Sequence, residues 1–208
     1  MLLSVLSFTA AAVLLVVLPG PDTLVVVRGL ARGGRGGGVR TSLGVLCGLL
    51  VWVIAAVLGL SALLQASEIG FEILKIVGAC YLVWMGLQSL RSLLRPVSEA
   101  AETTAKSSWL NRSGGFFSGF LTDILNPKIG VLFITFLPGF VPPGYSVAWT
   151  TLSLGLLYVA LTALYCAVLI AASTKISTWM QTPRIRRRLD GLAGLTLLGF
   201  GVRMATEH

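Results

Sequence analysis

Two short stretches of this chain place prolines, ionisable side chains and an amide inside otherwise apolar runs. The first reads Leu18-Pro19-Gly20-Pro21-Asp22-Thr23, and the second reads Asp123-Ile124-Leu125-Asn126-Pro127-Lys128. A carboxylate in such a place can hold an ammonium group or a proton, whereas a lysine or the free N–H groups at a helix start can hold a carboxylate. Together, groups of these two kinds could bind a zwitterion, which carries both an ammonium group and a carboxylate.

The elements that carry these residues are hydrophobic enough to span a lipid bilayer. Of the 208 residues, 55% are hydrophobic and 12% are charged, whereas soluble domains carry about 25% charged residues. A transmembrane helix needs roughly 20 apolar residues, so the chain has room for six spans and for no soluble catalytic domain. We predict spans near residues 2–27, 41–64, 69–90, 115–137, 146–172 and 189–204.

Basic residues fall in alternate joints between these spans. The joints after spans one, three and five hold Arg28, Arg32, Arg35, Arg40, Arg91, Arg95, Lys106, Arg112, Lys175, Arg184, Arg186, Arg187 and Arg188. Short loops rich in lysine and arginine stay in the cytoplasm, so both termini are predicted to lie outside it. Topology thus explains the net charge of +8 better than nucleic-acid binding, although a lipid-headgroup site remains an alternative. The glycines at 33–38 are interpreted as a flexible turn.

The prolines predict that spans one and four are broken. Proline removes a backbone donor and clashes with the carbonyl four residues earlier, and the freed groups are tolerated at membrane depth only where protein or a water-filled cavity supplies partners. Aligning Pro21 with Pro127 places Asp22 opposite Lys128. The fold prediction is an all-α membrane protein of two inverted three-helix repeats, residues 1–94 and 114–208, joined by a cytoplasmic linker at 95–113.

Other interpretations of the polar residues remain open. The N–H groups of Thr23, Leu24 and Lys128–Gly130 could receive a carboxylate, but Asp22 could simply favour a helix dipole, and Asp123 and Asn126 could simply cap a broken helix. In span three, Lys75 could be only a local ion-pair partner of Glu72. Lys75 lies close to small residues that let helices approach, so we expect it to face protein.

Few other residues of the sequence could take part in catalysis or metal binding. Cys47, Cys80 and Cys166 are isolated in apolar runs and are interpreted as core residues, and the single histidine is the last residue, His208. No nucleophile–base pair or metal-ligand spacing stands out, so we predict no enzyme activity, no cofactor and no metal site. The glycines near the C-terminal end suit helix contacts within one chain or between two copies, so a homo-oligomer remains open.

Four motifs in order resemble the LysE/RhtB family of bacterial amino-acid exporters. They are Pro19–Asp22, the segment Gly33–Gly44, Leu74–Leu82, and Gly119–Lys128 followed by Phe136-Leu137-Pro138. The resemblance covers nearly the whole chain and implies a six-span protein of the bacterial inner membrane that exports amino acids or related solutes, driven by the proton gradient or the membrane potential. Asp22 and Asp123 depart from it, because the family more often has asparagine there.

The function hypothesis is a secondary exporter of a small amino acid that works by alternating access around a midplane site. Its expected partners are the zwitterionic substrate, a coupling proton and the bilayer, and the rival hypothesis is a cation or metal-ion transporter of the same superfamily. The predicted substrate-binding residues are Pro21, Asp22, Thr23, Lys75, Asp123, Asn126, Pro127 and Lys128.

The orientation can be tested with reporter fusions. Alkaline phosphatase fused after Glu68, in the joint without basic residues, is expected to be active because it folds only outside the cytoplasm. The same reporter fused after Lys106 is expected to be inactive, because that joint carries four basic residues. Green fluorescent protein fusions at both positions provide the control and should give the opposite pattern. Equal phosphatase activity at both sites would contradict the orientation.

Overall fold

The computed structural model of this chain describes residues 2–18, 20–67, 115–142 and 144–172, with single positions between 69 and 91 and between 191 and 202. Within these residues the protein is entirely helical, with five α-helices. They are α1 (Leu2–Val17), α2 (Pro21–Ala66), α3 (Phe116–Ile124), α4 (Pro127–Val131) and α5 (Val147–Ala171), and α4 continues into a π-helical turn (Leu132–Phe136) and a 3₁₀ turn (Leu137–Phe140).

Among the described residues, two helical segments are long and apolar enough to cross a membrane, namely α5 and Pro21–Gly59, the second of which contains a kink at Gly33 and Gly34. The 25 residues of α5 give a length of about 37 Å, which exceeds the roughly 30 Å hydrocarbon core of a bilayer. A third span results if α3 and the helical segment Lys128–Ile134, which meet at a bend of 56°, count as one. The predicted third and sixth spans lie largely outside the described residues, so the six-span count stays a prediction.

Both predicted breaks are confirmed. Helix α1 ends at Val17 and α2 starts at Pro21, while α3 ends at Ile124 and α4 starts at Pro127. In each case the second half-helix has proline at its first position, where the missing N–H would have had no helical partner. The joint before α5 is also a turn, as predicted: Tyr145 N donates to Pro142 O at 3.2 Å.

The glycine-rich joint is shorter than predicted. Only Gly33 and Gly34 leave helical geometry, and Gly34 has a φ of 57°, which side chains other than glycine rarely adopt. Residues eight apart in a straight helix lie about 12 Å apart, yet a Cβ built at Gly29 would be 3.0 Å from Gly37 O. The chain therefore folds back on itself at these two residues. This contact outweighs the low helix propensity of the glycines that follow.

Small residues on the second part of α2 let α3 pack backbone to backbone. A Cβ built at Gly44 would overlap Phe116 O, and one built at Gly119 would overlap Thr41 O. Further along α2, Trp52 covers Gly130 of α4, where an added Cβ would be 2.8 Å from its ring. Close approach at small residues is common where membrane helices cross, and it holds the broken span four against α2.

Aromatic rings connect the other elements around one apolar core. Phe8 of α1 is fully buried and its ring centroid lies 5.4 Å from that of Phe140 in an edge-to-face arrangement. Phe133 and Tyr158 of α5 make a similar pair at 5.6 Å. Such pairs add about 0.5–1.5 kcal/mol beyond burial, so the segment after α4 is anchored to both α1 and α5.

The α2–α3 contact yields a stability prediction. Gly44→Ala should lower the free energy of unfolding by about 1–3 kcal/mol, because the added methyl group overlaps the Phe116 carbonyl and forces the helices apart. SDS-induced unfolding measures this. Gly59→Ala in the same helix is the matched control, since no atom of the described residues lies within 4 Å of its added Cβ. Equal unfolding midpoints for the two variants would contradict the described packing.

Candidate functional site

Asn126 organises the break in span four. Its backbone is extended (φ −80°, ψ 105°), and its side-chain Oδ1 accepts a hydrogen bond from Lys128 N at 3.1 Å. Its carbonyl accepts from Ile129 N and Gly130 N at 3.1 and 3.2 Å. Asn126 thus caps α4 in the usual manner of an asparagine N-cap.

These bonds correct one part of the sequence interpretation. The N–H groups of Lys128, Ile129 and Gly130 are all bonded to Asn126, and Leu24 N donates to Gly20 O at 3.1 Å. The prediction that these groups are free to receive a carboxylate is therefore wrong for this conformation. The side chains at the two breaks are the other candidate ligand-binding groups.

The same asparagine joins the two breaks. Its amide Nδ2 donates to Asp22 Oδ2 at 2.9 Å, across 104 residues of sequence. Asp22 lies in the first turn of α2, immediately after Pro21. A hydrogen bond to a carboxylate is roughly twice as strong as one between neutral groups, so this bond fixes the start of α2 against the start of α4.

Lys128 reaches from α4 to the end of α1. Its Nζ donates to Leu15 O at 3.4 Å. In an unbroken helix the donor to Leu15 O would be the N–H of residue 19, which is a proline and has none. Lys128 therefore supplies the donor that the first break removes, at the negative end of the α1 dipole. Lys128 is half-buried, and its ammonium also attracts the Asp22 carboxylate.

Asp123 is the deepest charged residue among those described. It is fully buried, and no group in the described part of the chain donates a hydrogen bond to either of its oxygens. A Cβ built at Gly48 would be 2.5 Å from Asp123 Oδ2, so the carboxyl group lies directly on the backbone of α2. Only a glycine at position 48 leaves room for it.

The structure thus brings three predicted residues, Asp22, Asn126 and Lys128, into one hydrogen-bonded cluster. Pro21 and Pro127 begin the two half-helices, and Thr23 is buried one residue beyond Asp22. Asp123 lies near Asp22, close enough for their charges to repel. Lys75 lies outside the described residues, so its assignment stays a prediction.

Three neighbours of these polar residues were not predicted: the Leu15 carbonyl, Gly48 and Tyr158. Two had a sequence signal, since Pro19 removes the helical donor for Leu15 O, and Gly44 and Gly48 have the four-residue spacing of a close helix crossing. Tyr158 is buried in α5, near both Asp22 and Asp123. Nothing in its sequence context marks it.

The cluster contains charged groups of both signs. Asp22 Oδ1 has no hydrogen-bond donor among the described residues and could accept from an ammonium group. Lys128 Nζ donates to a neutral carbonyl at 3.4 Å, so an anionic group could replace that acceptor. The cluster therefore presents a hydrogen-bond acceptor and a hydrogen-bond donor of opposite charge.

The Asp22–Asn126 bond predicts non-additive stability effects. Asp22→Ala and Asn126→Ala should together destabilise the protein by less than the sum of the single effects, with a coupling of about 0.5–3 kcal/mol, because either change removes the same bond. SDS-induced unfolding of the four proteins measures this. Asp22→Ala combined with Ser153→Ala, an exposed residue whose hydroxyl bonds within its own helix, is the control and should be additive. Additivity in both cycles would argue against the bond.

The chain matches the family model of the LysE type translocators over residues 13–208. It is 34% identical over 207 residues to an uncharacterized membrane protein of Pseudomonas aeruginosa, with 96% of this chain and 94% of that protein covered. It is 32% identical over 209 residues to the threonine efflux protein of Escherichia coli strain K12, with 96% and 97% covered. It is 28% identical over 207 residues to the leucine efflux protein of an Enterobacter species, with 97% and 95% covered.

No solved structure matches this chain. The family model covers almost its whole length, including both breaks, and the relatives match it nearly from end to end. The chain therefore belongs to the LysE family of translocators.

Proposed function

We propose that this protein is a secondary exporter that moves a small amino acid out of the cytoplasm, driven by the proton gradient or the membrane potential. It works by alternating access, in which two inverted three-span halves rock around a site near the middle of the bilayer. The halves are residues 1–94 and 114–208. The protein lies in the bacterial inner membrane with its basic joints in the cytoplasm.

The hydrogen bond from Asn126 to Asp22 is the observation that carries this proposal. It connects the two interrupted helices, one in each proposed half, at 2.9 Å. Irregular backbone at membrane depth is tolerated where it is buried in protein or lines a cavity, and in inverted-repeat transporters interrupted helices form the substrate site. The arrangement supports a site where the two breaks meet.

The charges of the cluster fit an amino acid. In this proposal Lys128 receives the α-carboxylate, while Asp22 receives the α-ammonium through its unpaired Oδ1. Asn126 holds the Asp22 carboxylate in place through Oδ2. A desolvated site that binds both the α-ammonium and the α-carboxylate group favours amino acids over simple anions or cations. A simple ion would leave either Asp22 or Lys128 buried without a group of opposite charge.

The relatives support the same substrate class. One is named for threonine efflux and another for leucine efflux, and these two amino acids share the main-chain zwitterion while their side chains differ in polarity. A site that recognises the zwitterion through charged residues explains how related proteins serve both. Threonine and leucine are therefore the first probes for this protein.

Counterflow in proteoliposomes tests the site. Vesicles preloaded with unlabelled threonine or leucine should take up the labelled amino acid when they contain the wild-type protein. Asp22→Ala and Lys128→Ala should each lower this uptake by about tenfold or more, because each removes a charged partner worth about 1.5–3 kcal/mol. Arg35→Ala, which removes an exposed cation of α2, is the control and should transport at the wild-type rate.

Wild-type counterflow by both Asp22→Ala and Lys128→Ala would contradict the assignment of the site. The rival cation transporter has its own readout, which is the tolerance of expressing cells to metal ions compared with their tolerance to toxic amino-acid analogues. Increased tolerance to metal ions alone would contradict amino-acid export.

A further inference from the structure

Asp123 makes none of the hydrogen bonds of the cluster described above, although it lies beside it. Its side chain is fully buried and both of its oxygens lack a donor among the described residues. An ionised carboxylate in such a place has lost its hydration and gained no hydrogen bond, which costs several kcal/mol. Binding a proton removes that charge. The site therefore suits the neutral, protonated acid.

The backbone of α2 closes this site. A Cβ built at Gly48 would lie 2.5 Å from Asp123 Oδ2 and 2.9 Å from Asp123 Cβ, and the same helix meets α3 one turn earlier at Gly44 and Phe116. Water cannot reach the carboxyl group while these helices touch. Exchange of a proton requires that α3 separates from α2, which is a movement of one proposed half against the other.

The surrounding charges come from three elements. The charged and titratable groups near Asp123 are Asp22 at the start of α2, with Lys128 of α4 close to Asp22, and Tyr158 of α5. Lys128 thus stabilises Asp22, and Asp123 has no cation of its own among the described residues facing it.

This arrangement couples a proton to the substrate. Two neighbouring carboxylates repel each other when both are ionised, and an ammonium group bound to Asp22 would offset that repulsion. Ionisation of Asp123 then becomes more favourable when substrate is bound. By linkage, protonation of Asp123 weakens binding of the ammonium in equal measure. A proton and an amino acid that disfavour each other at adjacent sites are the basis of exchange in opposite directions.

We infer that Asp123 is the proton-binding site of this translocator, separate from the amino-acid site at Asp22, Asn126 and Lys128, and that its contact with Gly48 closes it between exchanges. This inference rests on the proposed function for its substrate. It assigns the coupling proton to Asp123 and the substrate ammonium to Asp22.

In reconstituted full-length protein, the variant Asp123→Asn distinguishes translocation of the amino acid from exchange of the proton. The amide keeps the shape but cannot release a proton, so counterflow at equal pH on both sides should persist with a higher KM, because a neutral group at position 123 weakens binding of the ammonium. Accumulation of threonine or leucine driven by an imposed pH gradient should be lost, and counterflow should no longer depend on pH. Accumulation by Asp123→Asn at the wild-type level would overturn the inference while leaving the proposed function intact, and so would a wild-type protein that shows counterflow but no response to the pH gradient.

A second measurement does not depend on a variant of Asp123 or on transport. Dicyclohexylcarbodiimide modifies protonated carboxyl groups in apolar surroundings, and mass spectrometry locates the product in the wild-type protein. Modification at Asp123, greater in acidic than in alkaline buffer and faster in Gly48→Ala, is expected, since the added methyl group holds α3 away. Gly59→Ala is the control and should react like the wild type. Modification of Asp22 with Asp123 unmodified, even in Gly48→Ala, would overturn the inference.

If the proposed function itself is wrong, the experiments give a different result. A wild-type protein without counterflow of either amino acid contradicts amino-acid export as proposed, and the carbodiimide reaction at Asp123 still decides whether this carboxyl group binds a proton.

Discussion

Each of the two interrupted helices leaves polar groups that the other one satisfies. The first break deprives Leu15 O of its helical donor, and Lys128 from the second break replaces it. The second break requires an N-cap, and the asparagine that provides it also donates to Asp22 at the first break. In an apolar protein an unsatisfied group of this kind costs about 1–3 kcal/mol. Each break therefore stabilises the other.

The close packing of α2 follows from the same requirement. Lys128 and Asn126 can reach the first break only if α3 and α4 lie directly against α2, and the glycines at 44, 48 and 119 permit that approach. The approach also covers Asp123. These glycines on the facing sides of α2 and α3 thus serve two purposes, because they bring the polar cluster together and they separate a carboxyl group from water.

The sequence predicted the breaks, the membrane-spanning character and three of the cluster residues, because prolines and ionisable groups are costly inside apolar runs and have specific structural consequences there. It did not predict which N–H groups are already bonded, since Asn126 could cap the helix or leave it open with the same sequence. It also misjudged the residues after Gly34, where contacts with Gly29 and Leu30 stabilise a helix that local propensity disfavours. Tyr158 comes near the two carboxylates through tertiary packing alone, which no local pattern encodes.

The turn at Gly33 and Gly34 limits how the site can change shape. Asp22 and Gly48 belong to the same helix, one on each side of this turn, and the contacts of Gly29 and Gly38 hold the two arms together. If the part of α2 after Gly34 moves away and uncovers Asp123, Asp22 in the part before Gly33 must move with it, unless the angle between these two parts changes at Gly33 and Gly34. Within the described residues, the angle at these two glycines therefore determines whether Asp22 and the backbone that covers Asp123 move together.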